Sequence, residues 1–239
     1  MLPYFPERDS TRDSYASVTR VINATQSESK RKSLQNWIAR TGKEKAEKIS
    51  EASRNRGSKF HDDVKKYWQV ERESIHPSII QFLENSGIEI EFCESWIYSD
   101  KYGYKGIVDM VAKYKGKGCI VEWKTSNKDK KSEQMGDAKL QVSAYANAVE
   151  EMYKIKIETA LVIVAVERDL VKEFNPFSIP EKYYTFQVFE LNEKQINRSF
   201  TRFAKKVLDY KNPEYLDLRE KMRKGKATPT LAPSNPFSI

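Results

Sequence analysis

Two cysteines and two histidines are all that 239 residues contain, and nowhere does the chain run through about eighteen consecutive apolar residues. Without such a run no transmembrane helix is expected. Cys93 and Cys119 fall in segments that read as strands, where a reduced thiol is a small packing group. Two cysteines are also too few for a four-cysteine iron–sulfur or zinc site within one chain. The first residues carry Glu7, Asp9 and Asp13 and no apolar core, unlike a secretory signal or a mitochondrial presequence. A cytoplasmic setting is expected on that ground, bacterial or phage-encoded, with a mature organellar protein as the alternative. Acidic residues are outnumbered, 34 against 42 basic, which leaves a net charge of +8 and a modest preference for an anionic partner.

What is present centres on residues 103–125, GYKGIVDMVAKYKGKGCIVEWKT. Two β-branched, apolar runs flank Lys115-Gly116-Lys117-Gly118, so the stretch reads as a β-hairpin. Side chains alternate along a strand, which puts Glu122 and Lys124 on one face and Val121 and Trp123 on the other. A loop over residues 115–118 sets Asp109 opposite Lys124. A two-residue loop sets it opposite Glu122. Either even-numbered loop places Asp109, Glu122 and Lys124 together, whereas an odd-numbered one without a bulge does not. Two carboxylates and an ammonium on one face are costly to bury unless a cation completes the charge, and hard oxygen ligands suit Mg²⁺ or Mn²⁺. Taken alone, the same residues also describe a surface hairpin with an ion pair. Both strands are apolar at their remaining positions, which points to a central hairpin.

Upstream, residues 29–40 read as a basic helix with Trp37 on it, and residues 43–70 as a longer one with Ala46, Ile49, Ala52, Phe60, Val64 and Tyr67 at helical spacing. Cations interleaved with an aromatic suit single-stranded nucleic acid, while a solvated helix that packs Trp37 into the core fits equally. Gly57 interrupts the long helix at a cost of about 1 kcal/mol and lies one turn from His61, so a bare patch of backbone is expected beside the imidazole. On its own, His61 also reads as a hydrogen-bonded packing residue. Downstream, residues 78–85 read as a short helix, 88–98 as a strand and 126–135 as a polar loop. A helix over 137–153 carries Gln141 and Tyr145 on one face, and residues 157–166 are apolar enough for a buried parallel strand. An edge strand over 183–191, a basic helix over 192–210 and a short charged helix over 214–224 follow. Residues 226–239, with three prolines and no acidic residue, read as flexible.

Gly57-x-x-x-His61, Asp109, Glu122-Trp123-Lys124 and Gln141-x-x-x-Tyr145, in that order on those elements, resemble the RecB-like branch of the PD-(D/E)XK nucleases. The likeness extends to the mitochondrial genome maintenance exonuclease family through SVTRV (17–21), RGSKFH (56–61), GIVDMVAKYKGK (106–117), EWKTS (122–126) and LQVSAYANA (140–148). It covers residues 17–212. The resemblance implies an α/β fold with a restriction-endonuclease-like α-β-β-β-α-β core, a mixed central sheet flanked by helices. Residues 1–42 would be an N-terminal helical extension, 43–212 the nuclease core, and 213–239 a C-terminal helix and tail.

It also implies roles. Asp109, Glu122, the carbonyl of Trp123 and His61 hold one or two Mg²⁺ or Mn²⁺ ions; Lys124 orients and helps deprotonate the attacking water; Gln141 and Tyr145 face the site and touch the scissile strand. Glu122 stands where this family often has Asp. A depressed pKa is expected for Lys124 beside a metal. Arg20, Trp37, Arg56, Lys105, Ser126, Gln141 and Tyr145 are the expected DNA contacts, with Tyr102 and Tyr104 as further stacking aromatics. The implied activity is exonucleolytic hydrolysis of single-stranded DNA or flaps from a free end, in DNA replication, repair or recombination, with no iron–sulfur cluster. A structure-specific endonuclease and a catalytically silent nucleic-acid-binding module are the alternatives. Residues 236–239 offer a docking peptide for a replication or recombination protein.

Overall fold

The computed structural model describes residues 8–170 and 181–214. At its centre, Lys115 and Gly116 adopt φ of 53° and 73° and join strands β3 (Tyr104–Tyr114) and β4 (Lys117–Ser126). Two consecutive positive φ values make the tight hairpin turn whose twist matches that of its strands. Tyr114 therefore pairs with Lys117, and the four-residue loop is replaced by the two-residue alternative. Glycine at the second turn position makes this register cheap.

The sheet runs β1–β3–β4–β5–β6, with β2 also paired to β3. Strand β2 (Ile88–Ser99) lies antiparallel to β3 along its length, while on the other side β4 pairs with β3 only from Tyr114 to Met110. Beyond Met110↔Val121 the two strands part. The vacated edge of β3 is taken at its far end by β1 (Ala16–Ser17), parallel at Tyr104 and Lys105. Strand β5 (Thr159–Leu170) lies parallel to β4 and is flanked by antiparallel β6 (Glu181–Asn192). The parallel pair requires a crossover, which helix α5 (Gly136–Tyr153) provides.

Apolar side chains fill both faces of this sheet. One layer packs α5, α1 (Val18–Ala24) and α6 (Glu193–Lys211) against Phe92, Val111, Ile120, Val162 and Val164. Ser17 both ends β1 and caps α1, its Oγ accepting from Arg20 N at 3.2 Å. The other layer brings α3 (Lys43–Trp68) and α4 (Pro77–Asn85) onto Met110, Val121, Trp123 and Ile163. Phe60 anchors α3 there, with its ring 5.6 Å from Trp123. Burial of such a ring contributes about 2–3 kcal/mol and fixes the rotation of the next residue, His61. The second histidine, His76, caps α4 and bonds the Lys182 carbonyl through Nε2 at 2.7 Å, a structural role.

Helix α2 (Glu28–Thr41) has no buried residue, and Ile49 of α3 is 46% exposed although its spacing placed it inward. Apart from the buried Ala46, the first half of α3 thus lies beyond the core, as does all of α2, which is held at one end by the ion pair of Lys30 with Asp137. The charged segment 214–224, apart from Glu214, and the tail 226–239 lie outside the described residues.

Candidate active site

The fork between β3 and β4 assembles the polar residues. Asp109 sits one residue past the last rung of the ladder, and its Oδ2 accepts the Trp123 amide at 2.8 Å, a donor that β3 has ceased to use. Alternation also slips here. Val108 and Val111 pack on the α5 side and Met110 on the α3 side, so Asp109 and Met110 point to the same side. Asp109 consequently reaches across to α3, with Oδ1 3.6 Å from His61 Nδ1, while Glu122 and Lys124 face α5. The three residues meet at the fork from two sides, not on the single face that alternation implied.

Glu94 joins them, and no motif had singled it out. Its Oε1 lies 3.1 Å from His61 Nδ1, and ligand atoms of His61, Glu94 and Asp109 fall within 4.8 Å of one another. The flanking pairs Cys93↔Met110 and Ser95↔Val108 set Glu94 opposite Asp109, and its φ of 49° marks the matching slip in β2. A signal was present. Carboxylates fall at odd positions 89 and 91 and then shift to even 94, breaking the phase of the strand.

From Glu122 a chain of hydrogen bonds runs into α5. Lys124 Nζ donates to Glu122 Oε1 at 2.5 Å and to Gln141 Oε1 at 3.2 Å, and Gln141 Nε2 donates to the Tyr145 hydroxyl at 3.0 Å. Tyr145 packs against Gly106, where an added Cβ would come within 2.6 Å of its ring. Gly57, by contrast, leaves room: its Cβ would meet only Thr125 Oγ1, at 3.8 Å. The close approach sought at Gly57 is found at Gly106. Gly106→Ala should therefore cost about 1–3 kcal/mol and displace Tyr145, whereas Gly57→Ala should gain up to about 1 kcal/mol from helix propensity. Thermal melts of the two variants should move in opposite directions.

Electrostatics strain the cluster. Burial pushes the Asp109 carboxyl up to about 7, against the pull of Lys124 and the Trp123 amide. Burial and then the Asp109 charge push Glu122 up to about 8. Burial alone lowers Lys124, but Glu122 and Asp109 outweigh it and hold the ammonium above its ordinary value. The expected depression is thus not produced by the protein groups, because carboxylates are its nearest charges. Glu122 Oε2 is buried with no hydrogen-bond partner. An orphaned carboxylate oxygen beside a second buried carboxyl fits a hard divalent cation, which supplies the missing charge and accepts oxygen donors.

Of the expected DNA contacts, Trp37, Arg56 and Ser126 come together. They line a groove of about 540 Å³ between α2, α3 and the loop after β4. Arg56 Nε is buried there without a partner, and Trp37 is half-buried, lining the groove and not the core. Ser126 is 5% exposed, its Oγ bonded to both the amide and the carbonyl of Lys128, so it shapes the loop. Arg20 is exposed on α1. Lys105 is bound to Asp13, at 3.0 Å to its carbonyl and 3.3 Å to its carboxylate. Tyr104 is fully buried with its hydroxyl on the Ala144 carbonyl at 2.8 Å, so it cannot stack on a base. Tyr102 packs edge-on against Phe200.

Comparison with known proteins accords with this geometry. Mitochondrial genome maintenance exonuclease 1 from mouse is 28% identical over 209 residues, 79% of this chain and 62% of the relative. The human protein of that name is 27% identical over 219 residues, 83% of this chain and 61% of the relative. That from Xenopus tropicalis is 27% identical over 165 residues, 62% and 48% respectively. The chain thus spans about half to three-fifths of the length of these relatives. The family model described as the PD-(D/E)XK nuclease superfamily matches residues 24–230, and with the forked hairpin, its Asp109 and its Glu122-x-Lys124, the chain belongs to that superfamily.

Proposed function

We propose that this nuclease is a Mg²⁺- or Mn²⁺-dependent exonuclease that hydrolyses single-stranded DNA or flaps from a free end, in DNA replication, repair or recombination. The observation that carries the metal dependence is the buried, unpartnered Glu122 Oε2 beside Asp109. Asp109, Glu122, the Trp123 carbonyl, His61 and Glu94 are the groups to hold one or two ions. A bound ion supplies Lewis acidity, polarising the phosphate and making water a better nucleophile.

The remaining steps belong to the protein. Lys124 spends one N–H on Glu122 and one on Gln141, which aims the third at the attacking water or at a phosphate oxygen. Its charge offsets that which develops on the phosphoryl oxygens in the transition state. Gln141, fixed by Tyr145, keeps Lys124 in place. Arg56 offers its unpartnered Nε to a phosphate in the groove, and Trp37 offers a face for a base. Free-end cleavage is supported by the name of the relatives, mitochondrial genome maintenance exonuclease 1.

An end-labelled single-stranded oligonucleotide and its circular form, incubated with and without Mg²⁺, test the reading. Mg²⁺-dependent loss of the linear form alone is the expected result. Cleavage of both would make the protein an endonuclease, and cleavage of neither with binding intact would make it a binding module.

A further inference from the structure

Past the slip at Glu94 and Asp109, the outer face of β2 and β3 continues away from the site. Ser95 is buried and Ile97 packs in the α5 core, so Glu94, Trp96 and Tyr98 share the opposite face. Val108 marks the same division in β3 and leaves Lys105 and Ile107 on the outer face with Asp109. Helix α3 meets this face at His61, beside Glu94 and Asp109. From the other end, the N-terminal turn covers Tyr98, whose hydroxyl accepts the Asp9 amide at 2.7 Å and whose ring lies 5.2 Å from the Arg12 guanidinium carbon. Between these covers stands the cross-strand pair Trp96↔Ile107, with Trp96 half-buried and Ile107 38% exposed.

Resting on the nuclease reading above, we propose that Trp96 and Ile107 form the floor on which the base of the nucleotide beside the scissile phosphate stacks. The pair lies two residues along both strands from Glu94 and Asp109, about 7 Å. That is the reach from a phosphate to its neighbouring base. The floor is rigid. Trp96 stacks on Tyr98 at 6.2 Å and 12°, and Lys105, itself held by Asp13, places its ammonium 5.9 Å from the indole centroid. A preordered aromatic costs little entropy when it receives a base, and every base offers a π face, so the contact selects unpaired strands without selecting sequence.

The test is a cycle between a protein change and a missing base. In a Lys124→Ala background, which keeps substrate intact, the affinity of the full chain for a single-stranded oligonucleotide is measured with an abasic nucleotide stepped through the mapped cleavage position. Trp96→Ala should weaken binding about five- to a hundredfold. It should also erase the penalty of the abasic nucleotide beside the cleaved bond while leaving penalties elsewhere unchanged. Trp96→Phe, which keeps a ring, should retain most of the affinity, and in the active background the loss should appear in KM. Unchanged binding by Trp96→Ala and Ile107→Ala in proteins with parental melting curves would overturn the inference alone, with the nuclease reading intact. So would equal loss at every abasic position, or a wild-type dimer that Trp96→Ala dissolves. Failure of the wild-type protein to bind or cut DNA would remove both.

Discussion

Lys124→Ala should lower the rate of DNA hydrolysis by about a thousandfold or more while oligonucleotide affinity stays within a few-fold. The asymmetry follows from where Lys124 sits. Its ammonium is held 2.5 Å from Glu122 and 3.2 Å from Gln141 inside the fork, where the proposed mechanism has it act on the reacting phosphate and its water. Affinity, in contrast, comes from many phosphate contacts spread over the strand. Lys124→Arg should rescue little, since a planar guanidinium cannot reproduce the three-way donation of an ammonium in this space. Single-turnover cleavage beside anisotropy binding decides the matter. A fall in binding that matches the fall in rate would make Lys124 a DNA anchor and leave the proton-handling role without support.

Glu122→Gln should abolish cleavage and at the same time make the chelator-treated protein more stable at alkaline pH. Asp109 and Glu122 have folded-state pKa values pushed up to about 7 and about 8, from ordinary values of 3.8 and 4.5. Between those limits the native protein binds more protons than the unfolded chain, so stability falls as pH rises from about 4 to about 8. The cause is desolvation: ionising two adjacent buried carboxyls is tolerated poorly. In EDTA the wild-type melting temperature should therefore drop by several degrees between pH 5 and pH 8.5. Glu122→Gln should flatten that slope, because one of the two groups no longer ionises. Excess Mg²⁺ or Mn²⁺ should restore the wild-type protein at high pH, since a cation that binds only the folded carboxylates stabilises by mass action. A wild-type melting temperature that is indifferent to both pH and cation would show that the buried pair does not bind metal.

The same two carboxylates show where sequence ceases to be enough. Element order was legible because periods of 2.0 and 3.6 are local. The strand from Thr159 lies parallel to β4 as its apolar run required, and α5 carries Gln141 and Tyr145 on one face toward Lys124. The helix over Lys43–Trp68 runs through Gly57 because one glycine costs about 1 kcal/mol and the packing of Phe60 and Val64 exceeds it. Glu122-x-Lys124 needed no tertiary information, since residues two apart on a strand share a face.

Other features belonged to the assembled sheet. The turn closed at Lys115-Gly116, β3 and β4 then separated after Met110↔Val121, and β1 took the freed edge at Tyr104 and Lys105. Alternation slipped at Glu94 and Asp109, which carried Asp109 to His61 and brought in Glu94 from 33 positions along the chain. Tyr104 went into the core and Gly106 became the seat of Tyr145. The chain by itself therefore determined which elements form and which acids, amides and lysine this nuclease has to work with, because those depend on neighbours a few residues apart. Only the tertiary structure decided where the strands fork and which distant side chains meet there, because pairing and packing between remote segments set both.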